Sequence, residues 1–290
     1  MHSISNRKIR CGDGKVMRWK AKTCQLCTGN YNPMQRTRIH LEQTESTNDI
    51  GSQWLRTASP GEILTIWTSN QTHGRGQRGK TWELSPGLDL AWTAAVKWPA
   101  NALTRDPIVL NKAVTSSIRN AIAQFVADAQ GERSVGIKWP NDILIRNEAD
   151  QWLKCAGILI ENTWRASTWD GMLIGVGVNV NSAQTGAQRR CALCEFTTTN
   201  LAIERVEAQL SEHVLDALLI PEPSQGFSEH LVGRDQREKY RFQGKTGIGI
   251  IKTVSANGAL EMEWTPEGGA TKQLTVERSE ALEWDWLWRK

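Results

Sequence analysis

The sequence predicts an α+β fold: a large mixed-sheet domain followed by a small all-β domain. Three observations carry this reading. Between residues 38 and 219, short strand-like apolar runs are interspersed with a few helical patterns, of which two are long and clear. From about 240 to 285 the chain becomes short alternating runs divided by Asn257-Gly258 and Glu267-Gly268-Gly269, the turn chemistry of hairpins. With 290 residues, 39% hydrophobic and 23% charged, the chain can bury a core in one large domain or two smaller ones. The expected divisions are a basic arm at 1–37, a main domain at 38–237 and a β domain at 238–286.

The net charge of +4 is unevenly spread. Residues 1–38 hold nine Lys/Arg against one acid, Asp13, which leaves 26 basic and 30 acidic residues for the rest. We expect the arm to be solvated and poorly ordered. Its first 22 residues lack an apolar centre, unlike a secretory signal, and no run of 18 apolar residues suggests a membrane span. A cytoplasmic protein is the expectation. Six cysteines include two C-x-x-C pairs, Cys24/Cys27 and Cys191/Cys194. They lie too far apart, and outside any evident knuckle, to suggest structural zinc; unpaired thiols are expected. The 14 Trp against 4 Phe and 2 Tyr suggest that Trp fills core sites usually given to smaller aromatics.

RIHLEQ (38–43) alternates like a strand, and TESTND (44–49) supplies turn and N-cap residues. Ile50, Trp54 and Leu55 then recur at helical spacing. EILTIWTSN (62–70) and LDLAWTAAVKWP (88–99) read as strands, the second ended by Pro99. Residues 106–129 form the clearest helix, with Val114, Ile118, Ile122 and Phe125/Val126 on one face. VGIKWP, AGILIENTW and MLIGVGVNVN are further strands, and 182–199 is a loop. A second amphipathic helix at 201–219 carries Val206, Leu210, Val214 and Leu218 in register. After a Pro/Gly break, a short polar helix is expected to run to about Lys239.

Chemistry concentrates in GRGQRGKTW (74–82), where three glycines, three cations and Trp82 share nine residues. The glycine spacing matches the dinucleotide fingerprint, but that motif opens a helix, whereas KTWELSPGLDLAW reads as a turn and a strand. RNA-binding Arg-Gly segments are repetitive; this one is single. A solvated hairpin tip would explain the glycines and charges but not Trp82. A second group of polar and charged residues is KWPNDI (138–143), where Lys138 ends a strand and Asn141 and Asp142 sit at a turn. Lys154 then opens KCAGILIE. Two ordinary surface lysines are the plainer alternative, but beside a Gly/Arg loop the set suits a polyphosphate carrying a base. Bared backbone N–H groups approach phosphate, cations neutralise it, Trp82 stacks on a purine, and Asp142 offers oxygen to Mg²⁺.

ESTND (45–49), QTHGRGQRGKTW (71–82), KWPNDI (138–143), KCAGILIE (154–161) and LIGVGVNVN (173–181) together resemble the ordered motif set of biotin protein ligases. The resemblance covers roughly residues 38–285. It implies a mixed-sheet catalytic domain like those of class II aminoacyl-tRNA synthetases and lipoate ligases, then an SH3-like β-barrel. It implies that biotin and ATP form biotinyl-5′-AMP, with Mg²⁺, and that the biotinyl group passes to a lysine of a biotin carboxyl carrier protein, as in acetyl-CoA carboxylase. By the same resemblance, Ser46, Thr47 and Asn48 meet the ureido head of biotin, and Gln71, Arg75, Gly76 and Gln77 line its site. Arg78 and Lys80 lie on the phosphate side, Trp82 against adenine, Lys138 on the ATP phosphates, and Asn141, Asp142 and Asn179 by the adenylate, with Asp142 assisting Mg²⁺. Lys154 meets the biotin carboxylate and the charge of the reacting phosphorus. Lys154, Arg75 and Lys138 are the expected catalytic group.

No protein nucleophile is needed for this chemistry, and the five histidines are scattered. Gln77 stands where many relatives carry a third arginine, which suggests looser retention of the adenylate. His73 is expected in solvent and Cys155 in packing. The arm lacks the two amphipathic helices of a winged-helix repressor, so no sequence-specific DNA binding is expected, nor a membrane. The protein is expected to be a monomer or homodimer. The competing readings are a lipoate or octanoyl ligase and a non-catalytic biotin-binding protein.

Overall fold

The computed structural model describes residues 3–10, 16–26, 34–99, 106–130, 135–183, 189–219 and 226–284. In chain order the elements are β1 (Ser3–Arg10), β2 (Val16–Leu26), β3 (Met34–His40), α1 (Thr47–Leu55), β4 (Glu62–Thr68), β5 (Gly74–Arg75), β6 (Thr81–Trp82), β7 (Leu90–Lys97), α2 (Pro107–Gln130), β8 (Val135–Lys138), β9 (Asp142–Arg146), β10 (Trp152–Arg165) and β11 (Thr168–Val178). Then come α3 (Ile203–Leu219), β12 (Arg237–Phe242), β13 (Lys245–Val254), β14 (Leu260–Pro266), β15 (Lys272–Val276) and β16 (Leu282–Glu283). The contacts divide the chain into two units. The first comprises Met1–Arg105, Gly157–Ser182 and Asn200–Ser211; the second comprises Asp106–Ala156, Ala183–Thr199 and Glu212–Lys290.

In the first unit the strands run in the order β1-β2-β3-β4-β7-β11-β10. β3 and β4 are parallel while β4 and β7 are antiparallel, so the sheet is mixed. α1 packs on it through Ile50 and Leu55, against Ile39, Leu41, Leu64, Ile66, Ala95 and Leu173, with Trp54 half-buried alongside. The helix starts where expected: Ser46 is its N-cap and accepts from the Asp49 N–H at 3.3 Å. A buried polar chain crosses this unit. Arg38 pairs with the carboxylate of Glu207, Ser211 Oγ donates to Glu207 Oε1 at 2.7 Å, and Trp92 Nε1 donates to Ser211 Oγ at 2.9 Å.

The composition of the arm led us to expect little order at 1–37, yet its backbone runs as β1 and β2, paired antiparallel, with β2 in turn antiparallel to β3. The period-2 alternation of Met17, Trp19 and Ala21 with Arg18, Lys20 and Lys22 is the strand signal that net charge obscured. Residues 34–37 belong to β3; residues 1–2, 11–15 and 27–33, and the side chains of β1 and β2, lie outside the described residues.

In the second unit β10, β9 and β8 are neighbours in that order. α2 begins at Pro107, which fits a first helical turn, and the Asp106 carboxylate caps it by accepting from Ile108 N at 2.7 Å. Its buried face is Leu110, Val114, Ile118, Ile122, Phe125 and Val126, as the periodicity predicts. The strand β9 was not foreseen. Its apolar run, Ile143–Leu144–Ile145, is too short to be told from a turn flank by pattern alone.

The C-terminal strands of the second unit form a five-stranded antiparallel sheet, β15-β14-β13-β12-β16. The chain turns at Asn257-Gly258 and at Glu267–Gly269, the two places the turn chemistry marks. The polar helix expected up to Lys239 is absent: 226–236 is turn and loop, and β12 starts at Arg237 with Tyr240 fully buried. Tyr240 and Phe242 share the strand period, which helical expectation overlooked. Trp67, Trp92, Trp98, Trp139, Trp169, Trp264 and Trp284 are all buried, so Trp does take core positions. Among the described residues no helix is long and apolar enough to cross a membrane.

Candidate active site

The first unit brings together most of the expected head-group residues. Ser46, Thr47 and Asn48 open α1 and are buried, although all three are polar. Their hydrogen bonds explain the burial. Gln71 Oε1 accepts from Thr47 N at 2.9 Å and Thr47 Oγ1 at 3.2 Å. Thr93 Oγ1 on β7 lies 2.8 Å from Thr47 Oγ1 and 2.6 Å from Asn48 Oδ1. Thr93 was missed in the sequence because it reads as one more residue of a buried strand. Beneath Asn48, any side chain at Gly175 would overlap the carboxamide.

The Gly/Arg loop is a tight hairpin. β5 and β6 pair as Gly74↔Trp82 and Arg75↔Thr81, and Gly76 N donates to Lys80 O at 2.6 Å. A strand rather than a helix follows the glycines, so the dinucleotide reading is excluded by geometry as well as by pattern. Gly74 is required by space: a Cβ there would overlap the Trp82 carbonyl and lie 2.6 Å from Gln71 Nε2. Gln77–Gly79 form a short 3₁₀ turn in which Arg78 adopts φ 58°, left-handed for a non-glycine. Arg78 and Lys80 are exposed, as is His73.

Arg75 is held by two carboxylates: its Nε lies 3.1 Å from Asp49 Oδ1 and its Nη2 3.2 Å from Glu161 Oε2. Asp49 closes ESTND and Glu161 closes KCAGILIE, and nothing in either motif by itself marks the acid as a partner of Arg75. Trp82 is half-buried, and its indole occupies the space a Gly177 side chain would need. Asn179, two residues further along, is 3% exposed.

The second unit gathers the remaining expected residues. Lys138 and Asp142 are partners in the β8–β9 register, their Nζ and Oδ2 4.0 Å apart. Lys154 Nζ lies 2.7 Å from Asp142 Oδ1. Lys138 Nζ is also 5.8 Å from the Trp284 ring centroid. Asn141 sits in the turn between β8 and β9, half-buried. The Trp139–Pro140 peptide is cis, and Trp139 Nε1 donates to Gly258 O at 3.1 Å.

Lys154 is braced by a segment read as loop from the sequence. It pairs with Arg190 in an isolated parallel bridge, its N–H donating to Arg189 O and its carbonyl accepting from Cys191 N, both at 3.0 Å. Behind it, Cys155 and Cys191 are fully buried. The contact with Cys155 and then burial push the Cys191 thiol well above its usual range. Cys24 and Cys27 lie outside the described side chains.

The Asp142 carboxylate faces two ammonium groups, and among the described residues no three His, Cys, Asp or Glu side chains group as metal ligands. A single carboxylate already matched by cations does not fit a resident Mg²⁺ site.

Residues 40–179 match the model of the Biotin/lipoate A/B protein ligase family. The chain is similar to the bifunctional ligase/repressor BirA of Bacillus subtilis, 30% identical over 179 residues, covering 61% of this chain and 51% of that one. It is also 30% identical over 145 residues to a biotin–[acetyl-CoA-carboxylase] ligase of Paracoccus denitrificans, covering 49% and 54% respectively. The chain thus spans about half the length of the curated relatives it matches. Its fold is that of the biotin protein ligases. The Aquifex aeolicus biotin protein ligase in complex with biotin and ATP superposes with a TM-score of 0.57 at 21% identity, covering 82% of this chain and 94% of that one.

Proposed function

We propose that the protein is an ATP-dependent biotin ligase. A biotin carboxylate oxygen attacks the α-phosphorus of ATP and releases pyrophosphate. A lysine amine of a biotin carboxyl carrier domain then attacks the acyl carbon of biotinyl-5′-AMP, forming an amide and releasing AMP. No side chain of this chain becomes covalently attached. Catalysis rests on positioning and charge stabilisation in a water-poor site.

The observation that carries this reading is the buried Thr47–Asn48–Gln71–Thr93 network. Such a nest of donors and acceptors suits a cyclic urea, which offers one carbonyl and two N–H groups. The dithiolane of lipoate offers neither, so it has nothing with which to join this network. Ser46, Thr47, Asn48 and Gln71 are therefore assigned to the ureido head, with Arg75, Gly76 and Gln77 lining the biotin site. Arg78, Lys80 and Lys138 are assigned to phosphate, Trp82, Asn141 and Asn179 to the adenosine side, and Lys154 to the carboxylate and reacting phosphorus. Asp142 is read as the anion that orients Lys154 and Lys138. Magnesium is read as the ion that accompanies ATP, part of the substrate rather than a resident cofactor. The main domain is proposed to span 38–237, and the β domain, 238–286, is read as the SH3-like barrel of such ligases.

The test is to incubate the chain with ATP, Mg²⁺, biotin or lipoate, and a carrier domain, and to detect label on the carrier. Biotin transfer that disappears in Lys154→Ala is the expected result. Lipoate transfer alone would move the assignment to the lipoate ligases. Biotin binding without transfer would mark a non-catalytic binder.

A further inference from the structure

Asp89 is a carboxylate that the proposed chemistry does not use. It is 2% exposed, and its partners are all uncharged. Its Oδ2 accepts from Ser85 N at 3.1 Å, and its Oδ1 accepts from Val180 N at 2.9 Å and Ser182 Oγ at 2.6 Å. A carboxylate is kept out of water only where donors replace its hydration, and these three bonds supply that replacement.

The donors come from two separate segments. Ser85 follows Trp82 by three residues, at the exit of the Gly/Arg hairpin. Val180 directly follows Asn179, beyond the end of β11. One backbone bond also joins them, Asn181 N to Leu88 O at 2.9 Å. The Asn181 side chain is turned elsewhere, exchanging bonds with Leu201 O at 2.8 Å and Leu201 N at 2.9 Å. The Trp82 indole meets β11 at Gly177, two residues before Asn179. Asp89 is thus the side chain that ties the aromatic plate of the hairpin to the segment presenting Asn179.

We propose that Asp89 is a positioning residue for purine nucleotide recognition: it fixes Trp82 and Asn179 relative to each other and so sets the affinity for the adenosine moiety, leaving biotin affinity untouched. This rests on the adenosine role proposed above for Trp82 and Asn179. Asp89→Asn keeps one acceptor oxygen and turns an NH₂ group toward a donor, so it breaks at least one arm of the tie. Ser182→Ala removes one arm and leaves the carboxylate. Ser182→Thr retains the hydroxyl.

The full chain is titrated calorimetrically with biotin alone, and separately with ATP in Mg²⁺ without biotin, and its melting temperature is recorded. Asp89→Asn is expected to weaken ATP binding about tenfold and Ser182→Ala about threefold, with biotin affinity within about twofold and ATP binding restored in Ser182→Thr. Should Asp89→Asn not fold, the Ser182 pair decides. Unchanged ATP affinity in the variants, while the wild type binds both ligands, overturns the proposal and leaves the ligase reading standing. Parallel loss of biotin and ATP affinity marks a purely structural residue and also overturns it. A wild type that binds neither ligand overturns both.

Discussion

Lys154 Nζ and Asp142 Oδ1 stand 2.7 Å apart, and Lys138 shares the same carboxylate at 4.0 Å. One anion thus serves two ammonium groups. Replacing Lys154 by Ala is expected to lower biotin-dependent ATP–pyrophosphate exchange by about 10²–10³-fold, the usual effect of removing one preorganised donor from an anionic transition state. Asp142→Asn keeps the shape but not the charge that holds Lys154, and about a tenfold loss is expected. Exchange rates within twofold of wild type for both variants would remove this cluster from the mechanism.

Gln77 is the uncharged side chain between Arg75 and Arg78 in an exposed turn. Gln77→Arg is expected to slow release of biotinyl-AMP several-fold, because a cation there adds attraction to the phosphate. Release is followed by chasing preformed, labelled adenylate from the protein. Equal rates for the two proteins would sink the idea of a loose hairpin.

Gly177→Ala would drive a methyl group into the Trp82 indole. Forced overpacking of this kind costs about 1–3 kcal/mol of stability. The displaced indole should raise the KM for ATP more than the KM for biotin. Steady-state kinetics with each substrate varied in turn checks this, and an equal rise in both would separate Trp82 from nucleotide binding.

Glu207 is fully buried, whereas its partner Arg38 is part-exposed. Arg38→Ala strands that charge and is expected to cost about 3 kcal/mol. The double variant Arg38→Ala/Glu207→Gln should recover a good part, since Gln can still accept from Ser211 without a buried charge. Urea denaturation of the wild type, Arg38→Ala, Glu207→Gln and the double variant measures the coupling, and additive losses would contradict it.

Much of this was legible from residue order. An N-cap within residues 44–49, the buried faces of α1 and α2 and the two C-terminal turns follow from short-range rules of capping, period and turn chemistry, whereas the pairing of β5 with β6 inside the Gly/Arg loop did not show. What the sequence concealed depends on pairing at a distance. Nothing local announces that Asp49 and Glu161 close on Arg75, that Thr93 bonds both Thr47 and Asn48, or that Arg190 lies beside Lys154 in a bridge. The arm shows the opposite failure: its alternation was local and readable, but total charge drew attention from it. β9 was lost for lack of length, since three buried aliphatics carry no distinguishing period.

The clasp on Arg75 means that anion capture at this arginine is an exchange reaction. An arriving carboxylate or phosphate must displace Asp49 or Glu161 to take the Nε and Nη2 edge of the guanidinium. Both pairs are half-exposed, and such pairs are worth about 0–1 kcal/mol each, so the toll on affinity stays below roughly tenfold. Added salt loosens the clasp and weakens the capture together. The two effects oppose, and occupancy at Arg75 should vary little with ionic strength, buffering this arginine against its medium.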